Sequence, residues 1–201
     1  KNKACMVPVL GATGSGKSTY LRRLLAAKPP ARSMVWNPMQ DKTPYPGLVL
    51  TRLEDLHQAI AQRRFSVVFA PAWGDFKLMR RQFDLFCELA LAAEDLTFVA
   101  EEIKHVTTPV WAPPHWRRIT GDGRQYGLRV FCTSQRPAQI DKDCLSNATL
   151  IRTGRFAWPD DVQTVARYMR IPEAEIEALK PLDFIEVDLE TGRKLAGRLK
   201  F

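Results

Sequence analysis

The sequence predicts an α/β fold, in which a doubly wound, mostly parallel sheet ends in a small C-terminal β-hairpin. Short apolar runs typical of buried strands alternate along the chain with amphipathic runs whose apolar residues recur at helical spacing. Strands that alternate with helices favour a parallel sheet with helices on its faces. The 201 residues, 45% hydrophobic and 26% charged, have a globular composition and predict a single domain over residues 1–201.

Each predicted element follows from a local signal. Residues 4–10 are an apolar run typical of a buried strand, and residues 17–27 carry leucines on one helical stripe that stops before Pro29-Pro30. Residues 75–93 place large apolar side chains at helical spacing. Further strands are predicted at 33–36, 48–51, 65–69, 96–100, 128–132 and 149–151, and further helices at 53–64 and 160–169. Loops are predicted at 37–47 and 105–114, and the hairpin over about 183–201, with strands at 184–188 and 194–199.

Residues 11–18 match the phosphate-binding pattern G-x-x-x-x-G-K-[ST]. The segment follows a predicted strand and runs into a predicted helix, so backbone N–H groups and a helix N-terminus would surround a phosphate. We expect Lys17 to reach the β- and γ-phosphates of ATP, Ser18 to ligate Mg²⁺ and Thr19 to bond the α-phosphate. The predicted ATP-binding residues are Gly11, Ala12, Thr13, Gly14, Ser15, Gly16, Lys17, Ser18 and Thr19.

Two adjacent carboxylates follow the strand predicted at 96–100. A P-loop ATPase needs an acidic residue at a neighbouring strand end to hold Mg²⁺, and a second one to polarise the attacking water. We assign Glu101 to the metal, through water, and Glu102 to the base. Glutamate is one methylene longer than the usual aspartate, so coordination by Glu101 must shift. The alternative is a solvated helix start.

Gln135 follows the strand predicted at 128–132 and its two polar residues. In a parallel sheet this end lies at the same edge as the phosphate loop, where ligands bind. A neutral amide there could contact the γ-phosphate or its attacking water as a sensor. A purely structural hydrogen bond would explain the residue equally well.

The distribution of charge favours nucleic acid as a partner. The net charge is +8, and residues 103–140 carry six basic side chains against one acidic, a local charge of +5. A second basic cluster, Arg193, Lys194, Arg198 and Lys200, lies near the C-terminus. Basic and aromatic residues in 105–118 could form a DNA-contacting loop, with Trp116, Arg117 and Arg118 as candidates. The alternative is a loop that packs its tryptophans on the domain.

The order of these motifs resembles the FtsK–HerA superfamily of DNA-pumping ATPases. Three segments narrow the resemblance to the HerA-like branch of this superfamily. They are Ser-Gln-Arg-Pro at 134–137, Leu-Ser-Asn-Ala at 145–148, and Arg155-Phe156 before Pro-Asp-Asp at 159–161. Within the HerA-like branch, the small size is similar to that of genome-packaging ATPases of membrane-containing double-stranded DNA viruses. The likeness spans roughly residues 4–170.

The resemblance implies a RecA-like sheet with an additional strand and a catalytic glutamate. It also implies a hexameric ring that hydrolyses ATP between subunits to move double-stranded DNA. Such rings receive an arginine from the neighbouring subunit, for which Arg124 is the first candidate and Arg155 the second. Either arginine could instead form a salt bridge or contact DNA. A capsid or membrane vertex protein is a further expected partner, and the expected location is the host cytoplasm or the virion.

Two other functions remain open at this stage. A Zot-like ATPase of filamentous phage morphogenesis also carries a P-loop, but usually with a downstream membrane segment. No apolar run of the roughly 18–20 residues that a membrane-spanning helix needs is present here. A P-loop kinase of a small metabolite could carry an arginine-rich lid at 117–129, but the paired glutamates and Gln135 argue against it.

Overall fold

The computed structural model describes residues 5–39 and 44–200, and its central feature is one sheet with nine strands. Ala4, residues 40–43 of the predicted loop, and Phe201 of the predicted hairpin lie outside these ranges. The strands are β1 (Cys5–Leu10), β2 (Arg32–Trp36), β3 (Leu48–Leu50), β4 (Phe65–Phe69), β5 (Thr97–Ala100), β6 (Arg129–Ser134), β7 (Leu150–Thr153), β8 (Asp183–Asp188) and β9 (Lys194–Arg198). Their order in the sheet is β3-β4-β2-β5-β6-β1-β7-β8-β9.

Within the described residues, seven α-helices connect these strands. They are α1 (Lys17–Ala27), α2 (Leu53–Ile60), α3 (Phe76–Ala93), α4 (Pro114–Asp122), α5 (Asp143–Ser146), α6 (Pro159–Met169) and α7 (Glu173–Glu177). Local sequence features fix the starts of α3 and α6. The Asp75 side chain accepts a hydrogen bond from the Leu78 N–H (2.9 Å) at the start of α3. Pro159 occupies the first turn of α6, where its missing N–H costs nothing.

Apolar side chains alternate between the two faces of the sheet and build a core on each. On β2, Met34 and Trp36 join the larger cluster with the buried side of α3, and Val35 points to the smaller cluster. Helix α1 covers the smaller cluster with Leu21 and Leu25. The predicted α/β fold with a mostly parallel sheet is therefore confirmed.

The C-terminal hairpin is also present, and it extends the sheet. Strand β8 pairs antiparallel with β7, and β9 pairs antiparallel with β8. Because Ile185 lies opposite Thr153, the residues just before β8 and just after β9 lie beside the end of β7. Among the described residues, no helix combines the length and apolar character that a membrane crossing needs.

The prediction of a DNA-contacting loop at 105–118 is wrong in its second half. Residues 114–122 form α4, with Pro114 in its first turn. The helix directs Trp116 into the core, where it is fully buried between the rings of Phe83 (5.5 Å) and Phe98 (6.3 Å). The Trp116 indole N–H donates to Asp141 (3.1 Å). Trp116 is therefore a core residue and not a DNA contact.

We expect Trp116→Ala to lower the free energy of unfolding by about 3–5 kcal/mol, because it leaves a large cavity and an unpaired Asp141 oxygen. Chemical denaturation followed by far-UV circular dichroism measures this loss. The matched control is Trp73→Ala, because Trp73 is 53% exposed and its removal should cost about 1 kcal/mol or less. Equal losses in the two variants would contradict the placement of Trp116.

Candidate functional site at the carboxyl edge of the sheet

Three neighbouring strands end together at one edge of the sheet. Strands β5, β6 and β1 lie side by side and run parallel, with Ala100 opposite Cys132 and Leu10 opposite Ser134. The segments that follow them carry the predicted phosphate loop, the predicted acidic pair and Gln135. The three sequence-predicted motifs are therefore brought together by the parallel register, as expected for a ligand site at this edge.

The phosphate loop, residues 11–18, wraps over the start of α1. Gly16 caps the helix with φ +87°, a left-handed conformation that glycine adopts without penalty. Gly11 has φ +142°, and a Cβ there would lie 2.7 Å from Ser15 Oγ. These glycines let the backbone turn tightly enough to present N–H groups toward a bound anion.

Lys17 lies folded against its own loop. Its Nζ donates to the carbonyl oxygens of Gly11 (2.7 Å) and Ala12 (3.1 Å), and lies 4.0 Å from Glu102 Oε1. Burial lowers the pKa of Lys17, while the charges of Glu102 and Glu101 oppose that shift. A phosphate would replace the carbonyls as the acceptor and would favour the charged form of the lysine.

Both oxygens of Glu101 are held by hydroxyl groups. Oε1 accepts from the Tyr45 hydroxyl and Oε2 accepts from Thr133 Oγ1 (2.5 Å), and the side chain is buried. Arg22 lies over the Tyr45 ring, 5.2 Å from its centroid. Each carboxylate oxygen can accept a further hydrogen bond. Glu101 can therefore hold a water of a hydrated Mg²⁺ ion without leaving these partners.

Glu102 is fixed by backbone and side-chain contacts. Its φ of +49° is unusual for a residue with a side chain, and its N–H donates to Thr133 Oγ1 (2.8 Å). Its carboxylate accepts from Gln135 at two points, Nε2 to Oε1 (3.0 Å) and the backbone N–H to Oε2 (3.3 Å). Strained backbone of this kind is typical of functional sites.

A hydrogen-bonded relay, Thr13–Gln135–Glu102, connects the phosphate loop to this carboxylate. The Thr13 hydroxyl donates to Gln135 Oε1 (2.7 Å), which leaves the Gln135 amide N–H groups to face Glu102. The hydroxyl therefore sets which way the amide points. A ligand that moved Thr13 would change how Glu102 is held.

The residues at this edge fit Mg-ATP. They enclose a cavity of about 320 Å³, within the range of small-molecule sites. Lys17, Ser18 and Glu101 line it together, which supplies a cation for phosphate and two oxygen ligands for Mg²⁺.

The two candidate arginines lie at opposite ends of the parallel strands, Arg155 at the carboxyl ends and Arg124 at the amino ends. Arg155 follows β7, and its carbonyl accepts the Ala12 N–H (2.8 Å), so it lies beside the phosphate loop of its own chain. Arg124 precedes β6, about 20 Å away along the six-residue strand. It contacts Glu190 (3.3 Å), with both side chains largely exposed. Arg124 is therefore too far from the phosphate loop of its own chain to contact it.

Sequence reasoning missed several contributors to the site. Tyr45 and Leu182 line or support the cavity from distant loops, without a motif that marks them. Thr133 was visible only as a polar residue at a strand end. Arg136, next to Gln135, serves the architecture, because it pairs with buried Asp161 (2.7 Å) and lies over the Trp158 ring (4.9 Å). That pair joins two segments that carry the sequence resemblance.

Comparisons with known proteins agree with this geometry. No protein-family model matches the chain. Protein P9 of Pseudoalteromonas phage PM2 is 24% identical over 176 residues, covering 86% of this chain and 78% of P9. The genome packaging NTPase B204 from Sulfolobus turreted icosahedral virus 2, solved with ATP-gammaS, matches over 100% of both chains at 18% identity, with a TM-score of 0.74. The chain has the fold of a viral genome-packaging ATPase.

A bacterial toxin domain shares this fold more distantly. The N-terminal domain of zonular occludens toxin from Neisseria meningitidis matches at 12% identity with a TM-score of 0.53, over 98% of this chain and 95% of that domain. The α/β fold that the sequence resemblance implies is therefore confirmed. At these sequence identities the structural matches establish the fold of this chain and not its function.

We expect Thr13→Val to lower the rate of ATP hydrolysis and to leave KM for ATP nearly unchanged. The valine keeps the shape of threonine but frees the Gln135 amide to turn, so Glu102 loses one hydrogen bond that orients it. The loss of one such bond predicts a fall in kcat of roughly two- to tenfold. Steady-state kinetics measures it, and Thr13→Ser is the control that keeps the hydroxyl. Equal kcat values for the two variants and the parent would contradict the relay.

Proposed function

We propose that this protein is an ATPase that translocates double-stranded DNA to package a viral genome. The observation that carries the proposal is the convergence of a phosphate loop, a buried acidic pair and a glutamine at the ends of three adjacent parallel strands. The full-length match to the fold of a genome packaging NTPase supports it.

The hydrolytic chemistry follows from the positions of the side chains. Lys17 would neutralise charge on the β- and γ-phosphates, and Ser18 with Glu101 would hold Mg²⁺, which stabilises charge on the transferring phosphoryl group. Glu102 would accept a proton from the attacking water, as a general base within reach of the γ-phosphate. Gln135 would report on the phosphate, because it joins Glu102 to the loop.

A surface on α3 and α4 supports DNA as the partner. The first six residues of α3 carry Lys77, Arg80 and Arg81 without an acidic residue. Arg117 and Arg118 are exposed on α4. This helix contacts α3 through a hydrogen bond from the His115 backbone N–H to the Asp84 side chain (2.8 Å). We name Lys77, Arg80, Arg81, Arg117 and Arg118 the α3–α4 basic surface. Its cations can contact phosphates without reading bases.

An exposed indole lies within this surface. Trp111 is 44% exposed, and Arg80 lies over its ring, 5.3 Å from the centroid. The aromatic residue that accompanies the arginines is therefore Trp111, in place of the buried Trp116. The C-terminal basic cluster is a weaker candidate, because Lys194 pairs with Glu175 (2.7 Å) and Arg198 with Asp183 (3.6 Å).

Assembly into a ring, as a hexamer, belongs to the same proposal. Arg124 lies at the sheet edge opposite to the phosphate loop, so it could act as a finger only on the nucleotide of a neighbouring subunit. Arg155 is adjacent to its own phosphate loop and suits a role in the same subunit. A capsid or membrane vertex protein would be a further partner.

A Zot-like role in phage morphogenesis is the second candidate. The observation that favours it is the match to the zonular occludens toxin domain, with a TM-score of 0.53 against 0.74 for B204. The two functions differ in their response to DNA. Stimulation of ATP hydrolysis by duplex DNA is expected only of the packaging motor.

We expect Arg117→Ala combined with Arg118→Ala to weaken duplex binding and DNA-stimulated hydrolysis, and to leave basal hydrolysis unchanged. Two lost phosphate contacts should lower the slope of log affinity against log salt by about 2. Fluorescence anisotropy of a labelled duplex at several salt concentrations, with Mg-ATP present, measures this slope.

The matched control is Lys194→Ala combined with Arg198→Ala. It removes the same formal charge from a surface where both cations are paired within the chain. We expect it to bind duplex DNA nearly as well as the parent. Equal losses in the two double variants would show that only net charge matters, and salt-insensitive binding or none would favour the morphogenesis function.

A further inference from the structure

The turn before β8 holds a leucine in a backbone conformation that leucine rarely adopts. Leu182 has φ +70°, in the left-handed region where a side chain crowds the backbone. Its carbonyl accepts the Leu199 N–H (2.9 Å), which ties the two ends of the hairpin together. Leu182 lines the same cavity as Lys17 and Ser18. Strained backbone clusters at ligand sites, which makes Leu182 a candidate for contact with the ligand.

Leu199 lies beside Leu182 and both approach the phosphate loop. A Cβ on Gly16 would lie 2.7 Å from Leu199 Cδ2 and 3.5 Å from Leu182 Cδ2. The two side chains therefore pack beside the loop backbone at Gly16, at the start of α1. We name Leu182 and Leu199 the leucine wall.

The order of the strands places Leu182, the member of the wall that lines the cavity, at one end of it. Glu102 and Gln135 follow β5 and β6, which lie on one side of β1. The leucine wall adjoins β8 and β9, which lie on the other side of β1. The polar end suits the γ-phosphate and its attacking water. The remainder of a nucleotide must then extend toward the opposite end.

We infer that the leucine wall is the contact surface for the base and ribose of the nucleotide whose phosphates bind residues 11–19. The inference rests on the proposed nucleotide site and adds the part of the ligand that the phosphate loop cannot recognise. Apolar side chains suit the face of a planar base, since ligand cavities are lined largely by apolar groups. Leucine carbons offer no hydrogen bonds, so the wall adds affinity without distinguishing one purine from another.

Isothermal titration calorimetry with two ligands tests the inference on the full chain. Mg-ATP carries base and ribose, whereas magnesium tripolyphosphate carries only the three phosphates. We expect Leu182→Ala to weaken ATP binding about tenfold, as for the loss of a few apolar carbons in a pocket. Tripolyphosphate binding should stay unchanged, because the phosphate loop is intact.

Two further variants control for folding and for the hairpin itself. Leu182→Gly also lacks the side chain but adopts a positive φ without strain, so it should lose the same ATP affinity with a Tm at or above that of Leu182→Ala. Leu195→Ala changes a leucine that is 50% exposed on the same hairpin. It should bind both ligands like the parent.

Each remaining outcome overturns the inference, either alone or with the proposed function. If the Leu182 variants weaken both ligands equally, or weaken neither, the wall does not contact the base. A parent that binds tripolyphosphate as tightly as ATP contradicts the wall but leaves the phosphate site intact. A parent that binds neither ligand contradicts the nucleotide site and the wall together.

Discussion

The parallel register of β5, β6 and β1 is the constraint on which the rest of the structure depends. Because these strands are adjacent and run in one direction, the residues that follow them meet at one edge. Strand pairing thereby places Glu102, Gln135 and Thr13 in a single hydrogen-bonded relay, although 33 residues separate the first two and 122 the last two. A change in strand order or direction would separate them.

Hydrogen bonds within the chain occupy the side chains that would bind Mg-ATP, so the ligand would have to replace some of them. The Lys17 ammonium is bonded to two loop carbonyls and burial lowers its pKa, so a triphosphate would offer it a stronger acceptor. Glu101 rests on two hydroxyl groups, and Glu102 rests on an amide. Hydroxyl and amide groups fix the orientation of these carboxylates, and the Lys17 ammonium lies 4.0 Å from Glu102 Oε1.

The sequence alone predicted those elements and motifs whose defining residues are close together in the chain. The phosphate loop, α1 and the acidic strand end each carry their evidence within a few neighbouring residues, and the alternation of runs predicted the parallel sheet. The helix α4 was missed because prolines at 113 and 114 resembled a loop, although proline often opens a helix. Trp116 was misplaced with it, since only the helix directs that ring into the core. Tyr45 and Leu182 reach the site from distant loops, which no local pattern could indicate.

We propose that the acidic pair at the end of β5 has two separate roles, with Glu102 acting as the base in ATP hydrolysis. The most direct test is the steady-state rate of Mg-ATP hydrolysis by Glu102→Gln, with ATP binding measured on the same variant. The amide keeps the size of the side chain but cannot accept the proton, so binding should persist while kcat falls about 10²–10⁴-fold. Turnover at the parent rate would contradict the claim, and so would a Glu101→Gln variant that alone abolishes turnover.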